Sequence, residues 1–179
     1  MGSNLQDHIS TLVGPFFLNP RQSFLVERDL QTRHLIQYFA TGTGPLSSTG
    51  VNAMGFITSE QRKATGQKGW PDIQFLYAGI AVHKHFARHL DHEINLKRQV
   101  GEKYYTPVEG RDSFFISAVL ARPEQHGQVF LRSGDPYDRL VIDPKYLQNE
   151  QDARALVEGE QLAFELKAST FKPIQLEGV

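Results

Sequence analysis

Val51-Asn52-Ala53-Met54-Gly55-Phe56-Ile57-Thr58 and Ile73-Gln74-Phe75-Leu76-Tyr77-Ala78-Gly79-Ile80-Ala81-Val82 decide the fold class. Both are short, β-branched and aromatic, and neither holds a charge, so each reads as a strand. The polar stretch Ser59 to Gly69 joins them, and Trp70-Pro71-Asp72 opens the second, which predicts a hairpin with a long tip. Before Gly50 the period is different. From about Phe24 to Ala40, the residues Phe24, Leu25, Leu35, Ile36 and Phe39 recur at helical spacing, and Gly42 follows as a stop. The loop between, Thr41-Gly42-Thr43-Gly44-Pro45-Leu46-Ser47-Ser48-Thr49-Gly50, therefore separates a helix from a sheet.

Further out, His8 to Leu18 reads as an extended entry segment interrupted by Gly14-Pro15, and Asn19-Pro20 is a turn. Residues 81–95 are helix-like and rich in His. Ser113 to Leu120 and Gln128 to Leu131 read as strands joined by the turn around Pro123 and Gly127. Asp152 to Ala168 is an amphipathic helix rich in Ala, Leu and Glu despite Gly159. The expectation is an α+β domain: one antiparallel sheet from strands near 51–58, 73–82, 113–121 and 128–132, flanked by helices near 24–40 and 152–168.

Composition narrows the function classes. The 179 residues carry 19 Lys and Arg against 20 Asp and Glu, a net charge of −1, so no global basic field exists for nucleic acid. With no cysteine there is no disulfide, thiolate metal site, iron–sulfur cluster or Cys nucleophile. The longest uncharged apolar run, Phe75 to Val82, is far short of the ~20 residues that a helix needs to span a bilayer.

The glycine-rich loop does not encode a phosphate cradle. Gly42 and Gly44 begin a Gly-x-Gly-x-x-Gly pattern, but position 47 is Ser, and the loop runs from helix to strand. A helix stop followed by a Gly-Pro turn explains it. His83, His85, His89 and His92 form the other conspicuous cluster. On a helix His85, His89 and His92 would share one face, with His83 turned away. Phe86 stands where a zincin would need Glu, and Lys84 and Arg88 oppose a cation, so no native metal is assigned and a solvated polar face is the simpler reading. No Gly-x-Ser-x-Gly elbow is present.

Three blocks, read together, point to a family. They are Gly2-Ser3-Asn4-Leu5-Gln6-Asp7-His8; Gly44-Pro45-Leu46-Ser47-Ser48-Thr49-Gly50 followed by Trp70-Pro71-Asp72-Ile73-Gln74; and Phe114 to Ala121 with Gly127-Gln128-Val129-Phe130-Leu131-Arg132-Ser133-Gly134-Asp135-Pro136 and Ile142-Asp143-Pro144-Lys145-Tyr146-Leu147. Their order and content resemble the glucose–methanol–choline (GMC) flavoprotein oxidoreductases, most of all the arthropod glucose-dehydrogenase-like branch.

The resemblance implies that residues 1–18 leave a flavin domain and that 19–179 form a substrate-binding domain. Neither the family's FAD-binding Gly-x-Gly-x-x-Gly nor its His-Pro-x-Gly-Thr-like catalytic segment occurs here, so the catalytic residues are unknown and a substrate-domain fragment is implied. In that class a His takes the hydroxyl proton of an alcohol or sugar while hydride passes to the flavin. By resemblance Asn4 and His8 are placed beside FAD, and Ala53 and Leu76 line the substrate pocket, with ordinary sheet core as the alternative for the latter two. Asn52 stands where the branch often has Glu, which removes a carboxylate. The implied partners are a small alcohol or sugar substrate and the missing flavin domain, with self-association through the uncovered face. The fragment alone is not expected to bind FAD. A non-catalytic binding or interaction module is the competing reading.

Overall fold

The structure is a computed structural model that describes residues 2–94 and 96–170. In chain order the elements are β1 (Ser3–Leu5), β2 (Ser10–Phe17), α1 (Val26–Asp29), α2 (Thr32–Thr41), β3 (Val51–Ile57), α3 (Glu60–Ala64), β4 (Ile73–Ala78), α4 (Phe86–Ile94), α5 (Arg98–Tyr105), β5 (Ser113–Leu120), β6 (Gly127–Phe130), β7 (Val141–Asp143) and α6 (Glu150–Thr170). The class is α+β with antiparallel sheets, as the alternating and helical periods predict.

The sheet differs from the expectation in one respect. Strands β2, β5, β4 and β3 form a four-stranded sheet in that order, whereas β6 lies between β1 and β7 in a separate three-stranded sheet. The segment near 128–132 was expected to extend the main sheet, and it does not. Asp152 explains where the chain turns away: its carboxylate, 3% exposed, accepts the backbone N–H groups of Glu124 and Gln125 at 2.9 and 3.1 Å. That bond closes the turn after β5 onto the start of α6, and β6 then pairs antiparallel with β7 through Gln128–Asp143 and Phe130–Val141.

Other boundaries also move. The helix expected over 24–40 is two helices, broken at Leu30 and Gln31, where neither residue has helical backbone angles. Gly42 ends α2 at φ 68°, in the left-handed region that Gly enters without penalty. The helix expected from residue 81 starts only at Phe86. Helix α5 was not anticipated, because Arg98, Gln99, Glu102 and Lys103 make the stretch polar and Gly101 sits in its middle.

Spatially the described chain gathers into two compact units that interleave in sequence. The first comprises residues 2–13, 54–76 and 117–166. Within it Ile73, Ala118, Leu120, Ala155, Leu156 and Ala163 are buried. Gly159 lets α6 close on the sheet, because a Cβ there would sit 3.0 Å from the Ala118 Cβ and 3.3 Å from Ile73. Burial of a side chain such as Ile73 contributes about 1.5–3 kcal/mol. Leu120 N–H donates to Ile9 at 2.9 Å, and Asp72 N–H donates to Ile57 at 3.1 Å.

The second unit comprises residues 14–53, 77–116 and 167–170. Val82, Ala87, Tyr105 and Phe115 make its core, with Phe86 stacked on Phe115 at 5.5 Å and edge-on to Tyr105 at 5.0 Å. Phe114 meets Phe16 at 5.2 Å and Tyr77 at 4.9 Å. A buried ion network ties its loops together. Asp112 accepts from Arg28 Nη1 at 2.8 Å, from Ser23 N–H at 3.0 Å and from the Ser23 hydroxyl at 2.9 Å. Arg28 also pairs with Asp29 at 2.8 Å. Among the described residues no helix is long and apolar enough to cross a membrane.

Candidate functional site

His8 lines a 340 Å³ cleft in the first unit together with Gln6, Asp7, Arg62, Arg122 and Glu124. The backbone carbonyl of Leu120 lies 3.0 Å from His8 Nδ1. A carbonyl can only accept, so Nδ1 is the donor and the ring is held by that bond. Asp7 holds the segment in place: one oxygen accepts the His8 N–H at 2.9 Å and the other accepts the Tyr146 hydroxyl, which raises the phenol above its ordinary value. Both arginines of the cleft are engaged. Arg62 pairs with Glu124 and lies 3.7 Å from Asp72, while Arg122 lies 3.8 Å over the Trp70 ring and donates to the Trp70 carbonyl. The chemistry on offer is a hydrogen-bonded imidazole beside a balanced set of charges.

Asn4, the other residue placed beside FAD, does not line that cleft. It sits on β1 with φ 102° and an exposed side chain. Proximity in sequence brought the two residues into one segment, but the structure does not bring them into one pocket.

Ala53 is exposed on β3, at the edge of the four-stranded sheet. Leu76 is half-buried on β4, between buried Phe75 and half-buried Tyr77. Neither is closed sheet core, which leaves their side chains available to a neighbour or ligand. The strand around Ala53 is unusually open, with Met54 62% and Phe56 55% exposed. Asn52, which follows the opposite face from Ala53 by the alternation of a strand, has a structural task. Its Oδ1 accepts the Gly79 N–H at 3.0 Å, and its Nδ2 donates to Ser48 Oγ at 3.1 Å.

The His cluster is rearranged relative to its helical projection. His85 precedes α4 at φ 66°, so it cannot share a helical face with His89 and His92. His83, expected to point away, is the buried member, and its Nε2 lies 3.4 Å from His89 Nδ1. Among the described residues no group of three or more His, Asp or Glu is placed to hold a metal ion.

FAD requires a pyrophosphate cradle, which is backbone N–H groups at the start of a helix after a glycine turn. Here the Gly42 to Gly44 loop leaves the C-terminus of α2 and enters a short 3-10 turn at Pro45–Ser47. The donors of that loop are not aimed as a cradle, and among the described residues no other strand–glycine–helix turn replaces it. The described residues do not fit the dinucleotide part of FAD.

The fold is similar to part of a larger solved structure. A structure of the formate oxidase of Aspergillus oryzae, from work on its FAD modification, superposes with a TM-score of 0.60 at 18% identity, covering 92% of this chain and 30% of that one. Sequence relatives agree. An uncharacterised GMC-type oxidoreductase of Mycobacterium tuberculosis is 28% identical over 149 residues, 83% of this chain and 23% of its own length. The FAD- and quinone-named glucose dehydrogenase of Drosophila pseudoobscura is 27% identical over 180 residues, covering 100% of this chain and 25% of the relative. The chain matches no family profile. It is nonetheless similar over most of its length to GMC-type oxidoreductases, among them the insect glucose dehydrogenases that its sequence blocks resemble. The chain spans about a quarter of the length of these curated relatives.

Proposed function

We propose that this chain is the substrate-binding portion of an FAD-dependent oxidoreductase that acts on CH–OH groups of alcohols or sugars. The observation that carries the reading is the alignment of the entire chain with glucose dehydrogenase, together with three motif blocks in the same order. FAD, held by residues outside this chain, would supply the redox chemistry. The chain's own side chains would shape and dry the pocket. Ala53 and Leu76 present apolar surface that excludes water from the reacting carbon. His8 and Asn4 would meet the flavin-bearing part of the protein.

The test is to express the coding sequence extended in both directions and follow flavin bleaching and quinone reduction with glucose and a panel of primary alcohols. Flavin reduction by one of these substrates is expected. Replacing Leu76 with Glu in that protein should lower kcat/KM at least tenfold while FAD content is retained. A protein without flavin, or a flavin that no CH–OH substrate reduces, refutes the enzymatic reading and leaves the binding-module reading.

A further inference from the structure

A second cleft lies in the second unit, and the proposed function does not use it. It encloses 620 Å³ and is lined by Arg21, Arg33, His34, Ser48, Tyr77 and the Arg28–Asp29 pair, among others. That volume falls within the about 300–1,000 Å³ typical of small-molecule sites. Asn52 also lines it, so the cleft is on the opposite side of β3 from Ala53.

Its charges are unevenly satisfied. The carboxylates are consumed: Asp29 accepts from Arg28 and from the Leu25 N–H, and Asp112 beneath accepts from Arg28 and Ser23. Both are held ionised and internally paired. Arg21 and Arg33, by contrast, have no hydrogen-bond or ion-pair partner for their guanidinium groups among the described residues. His34 Nδ1 is engaged by the Asp29 carbonyl at 2.7 Å, which leaves its Nε2 as the free ring nitrogen. The Tyr77 phenol is pushed up by burial and so remains a neutral donor.

Two of these cations sit where local physics disfavours them. Arg33 is in the first turn of α2, a ten-residue helix with no side-chain cap and no acidic residue in that turn. A cation there opposes the helix dipole, where an anion would be favoured by ~0.3–1 kcal/mol. Arg21 holds φ 67°, a conformation that costs a residue with a Cβ on the order of 1 kcal/mol. Departures from local preference that converge on one cavity mark places where a sequence serves a ligand.

We propose that this cleft binds a small oxyanion, a carboxylate or phosphate group, between Arg21 and Arg33. A guanidinium presents paired N–H donors that match such a group, and the uncapped start of α2 adds favourable potential. Ser48 and Tyr77 supply neutral polar groups that suit the hydroxyls of an organic anion.

The experiment titrates the 179-residue chain with inorganic phosphate and, separately, with succinate, by calorimetry at ionic strength fixed with potassium chloride. Saturable binding with Kd below ~1 mM is expected for one of them. It should weaken at least tenfold in Arg33→Gln, on an exposed helical turn, and in Arg21→Gly, where Gly accepts the backbone angle. Saturation by phosphate alone assigns a phosphorylated ligand, and saturation by succinate alone assigns a carboxylate. Failure of both to saturate, or unchanged binding in Arg33→Gln, overturns the site.

Discussion

Replacing Asp112 with Asn removes one charge and almost no volume, and it strikes the most heavily used acceptor in the second unit. Asp112 is 8% exposed. Burial pushes its carboxyl up, but hydrogen bonds from Arg28, the Ser23 and Arg21 N–H groups and the Ser23 hydroxyl more than offset that and hold it at about 2. Relative to its ordinary 3.8, this corresponds to roughly 2 kcal/mol of folding stability. The sign follows from the direction. A carboxyl depressed in the folded state contributes fully above its ordinary value, and the contribution is lost as pH falls from about 5 towards 2. At pH 7 the variant should be destabilised by about 2–3 kcal/mol, since Arg28 also loses half of its counter-charge. With a urea slope of ~2 kcal/mol/M, the midpoint drops by ~1 M. Urea unfolding of both proteins from pH 7 to pH 3, followed by far-UV circular dichroism, reads this directly. The gap should narrow steadily below pH 5. A variant within ~0.5 kcal/mol of wild type at pH 7, or a gap independent of pH, would show that the network does not stabilise the loops as argued.

Gly159→Val should lower the thermal midpoint by the equivalent of ~1–3 kcal/mol, because the new side chain enters a gap already only 3.0 Å from Ala118; an unchanged midpoint in calorimetry would contradict the close helix–sheet approach. The purified chain should retain no FAD, since its described residues form no pyrophosphate cradle; stoichiometric visible flavin absorbance after desalting would defeat that expectation. Exposed Ala53 on β3, with half-buried Leu76 on β4, should drive self-association that persists at high salt, because screening weakens charge pairs and not apolar burial. Sedimentation at tens of micromolar should show the association in wild type and its loss in Leu76→Glu, and a monomer in both would exclude it.

Much of this protein is written in its local sequence. Short, uncharged runs of β-branched and aromatic residues after Gly50 were enough for β3, β4 and β5. Gly42 announced the end of α2 because almost no other residue takes that backbone angle cheaply. The motif blocks carried the family likeness, since they are read by order and spacing alone. Partnership between distant segments was not legible. Strand β6 joined β1 and β7 because Asp152, more than twenty residues downstream, turns the chain after β5. The split of the first helical stretch, the late start of α4 and the pairing of His83 with His89 likewise depend on what packs alongside. The basic cleft lay hidden for the same reason. Arg21, Arg33 and Tyr77 are ordinary in sequence, and only the fold consumes the carboxylates of Asp29 and Asp112 while leaving those two arginines unmatched. Local backbone preferences act over a few residues and survive in a string of letters, whereas charge balance is settled by which groups the tertiary structure brings within bonding distance.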